Sequence, residues 1–136
     1  MTRAISPGTY IRLRREAAGK SLDEVAAMIR TEPVWKEHVR TEWLAQIEAD
    51  VMPARGPTID VLLQIYRFDV NVLAALNDIA AGFAIEPPQI CRTCACSWYD
   101  PCRVPEGTCH WAEVDLCSAC QSGAGVAAAS DRRAAA

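Results

Sequence analysis

Apolar positions recur at helical spacing through the first 86 residues of the chain, and this pattern predicts five short helices. Ser6-Pro7 predicts the start of the first helix, because serine caps free backbone N–H groups and proline suits the first helical position. Gly19 is predicted to end this helix. Ser21 and Glu24 then have the spacing of a capping box, which predicts the start of a second helix directly afterwards.

The same spacing predicts three more helices. A third helix is indicated by apolar residues at Trp35, Val39, Trp43 or Leu44, and Ile47. Residues 52–57 are rich in proline and glycine and predict a loop. Thr58 is the predicted cap of a fourth helix and Asn71 that of a fifth, which continues through Phe83. The prolines at 87 and 88 end the helical pattern.

All seven cysteines of the chain follow this helical segment, at Cys91, Cys94, Cys96, Cys102, Cys109, Cys117 and Cys120. The outer four form two C-x-x-C pairs, and each pair can direct two thiolates at one point. Four thiolates at one point predict a structural zinc site with the ligands Cys91, Cys94, Cys117 and Cys120. A segment of this length cannot build a core unaided, so the metal is expected to fold it.

Three cysteines remain, and with the neighbouring histidine they define a possible second metal site: Cys96, Cys102, Cys109 and His110. Alternatively, these cysteines share a bridging thiolate with the first metal, or one of them is a free buried thiol. Zinc is expected, in one copy or two. An iron–sulfur cluster is the alternative, although the spacing fits neither ferredoxin pattern. Many thiolates and no H-x-E element favour closed sites, so no enzymatic activity is expected.

Trp98, Tyr99 and Trp111 lie among the cysteines. They are predicted to pack over the metal as a small core. If they are exposed, they would instead form a surface for stacking or for a partner.

These patterns predict a mainly α fold in three parts. Residues 1–86 form a helical domain, residues 87–120 form a cysteine-rich metal-binding module, and residues 121–136 form a tail. The tail consists largely of glycine, alanine and serine without periodicity, and it is predicted to be disordered.

Net charge and hydropathy limit the partners and the cellular location that can be expected for the protein. The net charge is −3, so the whole chain does not have the basic character typical of nucleic-acid binding. Residues 1–30, however, carry six basic and three acidic groups, which places the positive charge near the start. Arginines interrupt any leader-like apolar run, and no charge-free stretch is long enough for a bilayer. We therefore expect a cytoplasmic protein without membrane contact, in which clustered thiols hold metal.

The helical half resembles helix-turn-helix domains of the Cro and lambda-repressor type over roughly residues 7–78. The resemblance is carried by the segments Leu13–Glu16, Ser21–Ala27, Leu44–Glu48, Pro57–Leu63 and Phe68–Val72. It implies a five-helix domain whose third helix enters the major groove of double-stranded DNA. The implied DNA contacts are Arg15, Lys20 and Ser21 near phosphates, and Arg40, Thr41, Glu42 and Gln46 near bases.

The chain departs from that family at two places. The stretch from Thr31 to about His38 adds roughly eight residues between the second and third helices, and Leu22 stands where the family favours glutamine. The sequence thus favours a homodimeric DNA-binding transcription regulator with a structural zinc module. The alternatives are a zinc-stabilised adaptor that binds a protein partner without DNA, and an iron–sulfur redox-sensing regulator.

Overall fold

The computed structural model of the protein describes residues 4–31 and 33–122. The described residues contain six helices: α1 (Pro7–Ala17), α2 (Leu22–Met28), α3 (Glu37–Glu48), α4 (Gly56–Leu63), α5 (Val70–Ala80) and α6 (Ser118–Gln121). They also contain four short strands: β1 (Arg103–Val104), β2 (Gly107–Thr108), β3 (Trp111–Glu113) and β4 (Leu116–Cys117). The predicted combination of a mainly helical chain with a small cysteine-rich C-terminal region is confirmed. Nearly all of the predicted tail, residues 123–136, lies outside the described residues.

The first two helices begin where their caps were predicted. The Ser6 hydroxyl accepts a hydrogen bond from the Thr9 N–H at the start of α1. At the start of α2, the Ser21 hydroxyl accepts from the Glu24 N–H, and the Glu24 carboxylate accepts from the Ser21 N–H. Each cap satisfies N–H groups that a helix cannot pair internally, which explains why such local signals locate helix starts well.

The predicted caps of α4 and α5 are wrong by two or three residues. Arg55 is the N-cap residue of α4, so Thr58 already lies inside that helix. Asp69 caps α5, and its carboxylate accepts hydrogen bonds from the N–H groups of Asn71 and Val72. Aspartate and asparagine cap helices about equally well, so residue type does not identify Asp69 as the cap.

Two predicted apolar helix positions also lie outside their helices. Trp35 precedes α3, and Phe83 follows α5 with 64% of its surface exposed. Periodicity identified the two helices but extended each by about one turn, which is the usual uncertainty at helix ends.

The helical part, residues 4–80, is built around one apolar core. Its buried side chains come from all five helices and include Tyr10, Val25, Leu44, Leu62 and Leu73. At Gly8 in α1 the backbone passes so close to the end of α3 that an added Cβ would lie 2.5 Å from the Glu48 carbonyl oxygen. The Gly8 N–H also donates to the Asp50 carboxylate at 2.8 Å. Glycine is therefore required for the close approach of α1 to α3.

The cysteine module, residues 91–120, contains two antiparallel hairpins. Strand β1 pairs with β2 with Val104 opposite Gly107, and β3 pairs with β4 with Trp111 opposite Cys117. No strand exceeds three residues. Alternation of polar and apolar residues needs a longer stretch to be visible, so the sequence did not predict these strands.

A buried ion pair joins the cysteine module to the helical part. Arg14 of α1 and Asp100 lie 2.9 Å apart, with side chains only 8% and 7% exposed. The same guanidinium donates to the Cys94 carbonyl at 2.9 Å. A second link runs from the Ser97 hydroxyl to the Asp69 carboxylate at 3.0 Å. Ala95 is also buried within the helical core, so the two parts share packing as well as charge.

Candidate metal centre

The first cysteine pair lies on a tight turn that projects its sulfur atoms in one direction. The turn is closed by hydrogen bonds from the Ala95 N–H to the Cys91 carbonyl and from the Cys91 N–H to the Cys96 carbonyl. Backbone N–H groups of Thr93 and Cys96 lie 3.4 Å from the sulfur atoms of Cys91 and Cys94. Such N–H donors favour the thiolate form, which is the form that binds metal.

Ala95 makes this turn with a positive φ of 61°. A residue with a Cβ, such as alanine, adopts that conformation at a cost of roughly 1–2 kcal/mol. The alanine methyl is completely buried in the helical core. Packing against the helices thus offsets local strain at the first cysteine pair.

The second cysteine pair lies where β4 ends and α6 begins. Cys117 is the N-cap residue of α6, and its sulfur accepts from the Cys120 N–H at 3.4 Å. The Ser118 N–H donates to the His110 carbonyl, which fixes this helix start against the strand β3 that follows His110. The hairpin and the first turn of α6 therefore position both sulfur atoms.

These two pairs bring four sulfur atoms together in an outer group, which consists of Cys91, Cys94, Cys117 and Cys120. All four lie within 4.8 Å of one another, close enough to hold one metal ion. A tetrahedral ion with zinc–sulfur bonds of about 2.3 Å holds its sulfur atoms roughly 3.8 Å apart. The Cys94 and Cys117 sulfur atoms are 3.9 Å apart, which fits that geometry.

A second set of four sulfur atoms meets the same distance limit. This inner group consists of Cys94, Cys96, Cys102 and Cys117, again within 4.8 Å of one another. The Cys94 and Cys102 sulfur atoms are 3.5 Å apart. The inner group contains two of the cysteines predicted for a second site, and its other two members belong to the outer group.

The remaining members of the predicted second site belong to neither group. The Cys109 sulfur lies 3.8 Å from the Cys96 sulfur and accepts from the Cys102 N–H at 3.3 Å. His110 is exposed, and its backbone N–H donates to the Ser118 hydroxyl. Cys109 is thus at the edge of the sulfur cluster, and the backbone of His110 bonds to Ser118 at the start of α6.

Contact among the sulfur atoms sets their pKa values apart. Hydrogen bonds with Cys120 and Cys94 hold the pKa of Cys91 well below its ordinary value. Hydrogen bonds with Cys94 and Cys96 lower the pKa of Cys102 to about 5, while the bond with Cys102 raises the pKa of Cys94 to about 11. Neighbouring thiolates repel one another, so only some can ionise unless a cation is present. An all-sulfur, largely buried donor set of this kind fits zinc or an iron–sulfur cluster.

The three aromatic side chains of the cysteine module do not act as one core. Trp111 is half-buried and packs against the cysteine cluster, as predicted. Trp98 and Tyr99 are 75% and 82% exposed, so their predicted packing over the metal is wrong. They occupy the two-residue turn between Ser97 and Asp100, whose backbones bond to each other. A turn this tight directs both rings outward.

Three of the residues implied as DNA contacts bond α3 to other parts of the chain. The Arg15 guanidinium is buried and donates to both carboxylate oxygens of Glu48, at 2.7 and 2.9 Å. Arg40 donates to the carbonyls of Ala26 and Trp35. The Thr41 hydroxyl is 3.2 Å from the Asp23 carboxylate. These bonds fix α3 against α1 and α2.

The other four implied DNA contacts are exposed or half-buried. Ser21 and Glu42 are exposed, and Lys20 and Gln46 are half-buried. Ser21 uses its hydroxyl in the capping box of α2. Glu42 and Gln46 are four residues apart, so they lie on one face of α3.

Arg14 and Asp100 were not singled out by the sequence. One signal was available, because Arg14 lies four residues after the core residue Tyr10 and therefore shares its helix face. An arginine on a buried face needs a partner, but nothing in the sequence indicates which of the acidic residues supplies it.

No helix of the described residues combines the length and apolar character needed to cross a membrane. A comparison with family models found none that matches this chain, and comparisons with curated proteins and with solved structures also found no match.

Proposed function

We propose that the protein is a DNA-binding transcription regulator whose cysteine module is a structural zinc centre. The observation that supports DNA recognition is the way α3 is held. Arg15 bonds its C-terminal end to α1 through Glu48, and Arg40 bonds its N-terminal end to α2 through the Ala26 carbonyl. A groove-reading helix must be rigidly placed by its neighbours with polar groups left on its open side. Glu42 and Gln46 are such groups.

This proposal assigns different roles to the implied contact residues. Arg15, Arg40 and Thr41 position α3, while Gln46 reads a base and Lys20 approaches the phosphate backbone. Lys36, the N-cap residue of α3, is exposed and places a further cation at the start of that helix. Binding as a homodimer to a two-fold site would double these few contacts.

Zinc is the metal that the geometry of the outer group favours. Its sulfur atoms come from two C-x-x-C pairs and lie within 4.8 Å of one another, and the Cys94–Cys117 distance of 3.9 Å is close to that of a tetrahedral zinc site. Two hairpins and a one-turn helix provide little apolar surface, so the metal supplies most of the folding free energy of the module. In this role the zinc holds the C-terminal part in place and takes no part in chemistry.

A gel-shift experiment with a random double-stranded oligonucleotide library at two salt concentrations tests DNA binding. We expect retained sequences whose affinity falls steeply with salt, because phosphate contacts release counterions. Gln46→Ala should weaken the selected complex by about 10-fold, the order expected for one lost base contact. Gln64→Ala is the matched control, since Gln64 is exposed at the end of α4. Binding that is absent or insensitive to salt contradicts the proposal.

An exposed apolar surface favours one other function, that of an adaptor for a protein partner. Val34 is 81% exposed and Trp35 is 37% exposed just before α3, and Val39 is 39% exposed in the first turn of α3. Clustered apolar side chains of this kind are typical of protein interfaces and unsuited to phosphate approach. Copurification of one protein in stoichiometric amount and free of nucleic acid, with loss of that protein in Val34→Ser, would favour the adaptor.

A further inference from the structure

The outer and inner groups of sulfur atoms have two members in common. Cys94 and Cys117 belong to both groups, and their sulfur atoms are 3.9 Å apart. Cys91 and Cys120 belong only to the outer group, and the other two members only to the inner group. The two possible metal positions are therefore joined through one shared pair of sulfur atoms.

We infer that the cysteine module binds two zinc ions in a single cluster bridged by the thiolates of Cys94 and Cys117. Cys91 and Cys120 complete the coordination of one ion, and Cys96 and Cys102 complete that of the other. This inference deepens the zinc part of the proposed function and rests on it, but it does not depend on DNA binding.

The number of cysteines is consistent with sharing. Two separate tetrahedral sites need eight sulfur ligands, and the chain has seven cysteines. One shared thiolate would use all seven, whereas two shared thiolates use six and leave one over. The geometry favours the second arrangement, because two cysteines belong to both groups and Cys109 belongs to neither.

A single ion in the outer group would leave an unfavourable arrangement beside it. Cys96 is 1% exposed, and the Cys102 sulfur lies 3.5 Å from that of Cys94. Two thiols would then be held against a coordinated thiolate without a ligand role, in a module with few other buried groups. A second divalent ion allows both to ionise and bind, and it offsets the charge concentrated on the shared sulfur atoms.

The backbone around the shared ligands is suited to holding them in place. Cys117 is fixed by the start of α6, where its sulfur accepts from the Cys120 N–H. The Cys94 sulfur is 3.4 Å from the Cys96 N–H, and the Cys94 carbonyl accepts from Arg14. N–H donors beside a bridging sulfur stabilise its negative charge and orient it. Groups that hydrogen-bond to the metal ligands have the same effect in other metal sites.

Cys109 has a supporting position in this arrangement. Its sulfur accepts from the Cys102 N–H at 3.3 Å and contacts the Cys96 sulfur at 3.8 Å. Both neighbours are ligands of the second ion alone. Cys109 is therefore a positioning residue for that ion and not a ligand.

The test is metal counting combined with cadmium NMR on the full chain, without DNA. We expect two zinc ions per chain by elemental mass spectrometry. After replacement by cadmium-113, we expect two resonances, each split by the other because a shared sulfur atom transmits the coupling. One zinc per chain, two resonances without mutual splitting, or iron with acid-labile sulfide would overturn the inference.

Two serine variants distinguish the bridging arrangements. Cys109→Ser should retain two metal ions and the cadmium–cadmium splitting, whereas retention of only one ion would indicate a single shared thiolate and overturn the assignment. Cys102→Ser should retain one ion, in the outer group. If Cys102→Ser does not fold, the wild-type spectrum and Cys109→Ser still decide the question. Because no DNA is present, failure of DNA binding leaves these results unaffected.

Discussion

Removal of the metal by a strong chelator is expected to unfold the cysteine module while most of the helical signal remains. Structural zinc in small domains contributes an apparent binding free energy of about 10–16 kcal/mol, and such domains are unfolded without it. The module has a buried core formed largely by cysteines, together with Leu116 and Ala119. Without metal, those thiols provide too little apolar surface to hold the two hairpins and α6 together.

Backbone amide NMR spectra of the full chain before and after chelation provide the measurement. Resonances of residues 91–120 should collapse toward unfolded positions, and far-UV circular dichroism should fall little, because α6 has only four residues. Re-addition of zinc should restore the original spectrum. A metal-free protein that keeps the amide resonances of the module in place would contradict a structural role for the metal.

Replacement of Arg14 by methionine is expected to destabilise the protein by about 3 kcal/mol. Removing one partner of a buried ion pair typically costs 3–5 kcal/mol, because the other charge stays buried without compensation. Here the partner is Asp100, whose side chain is 7% exposed. Arg67 also lies 3.2 Å from Asp100 and should keep the loss at the lower end of that range.

Urea unfolding followed by circular dichroism measures this effect, and Arg67→Met is the matched control. The Arg67 side chain is 59% exposed, so its ion pair with the same carboxylate should contribute only about 0–1 kcal/mol. Combining Arg14→Met with Asp100→Asn should recover part of the lost free energy of unfolding, since the uncompensated charge is then removed. Equal effects of the two arginine variants would show that burial of the Arg14 pair is not what stabilises the contact between the two parts.

Features encoded by adjacent residues were predictable from the sequence. The cap at Ser6, the capping box at Ser21 and the two C-x-x-C pairs each depend on spacings of a few positions. Their physical cause is local. A capping serine bonds to an N–H group three residues further along, and the two thiolates of a C-x-x-C pair lie within one turn of the chain. The cap of α5 was predicted at Asn71 and lies at Asp69, because aspartate and asparagine are similarly good caps.

Features that depend on the tertiary structure were not predictable in the same way. Arg14 and Asp100 are far apart in sequence and meet only after the cysteine module packs on α1. The membership of Cys94 and Cys117 in two sulfur groups likewise depends on how the hairpins place Cys96 and Cys102. Arg15 is of a residue type suited to phosphate contact, but its guanidinium binds Glu48 inside the protein.

The bond between Arg14 and the Cys94 carbonyl also bears on how such a protein can change during evolution. A recombination event that exchanged the cysteine segment for an unrelated one would leave a buried guanidinium in α1 without an acceptor. The new chain would then be destabilised in its helices, far from the point of exchange, until Arg14 itself mutated. The two parts are thus expected to be inherited together, with substitutions at Arg14 and Asp100 occurring as a pair.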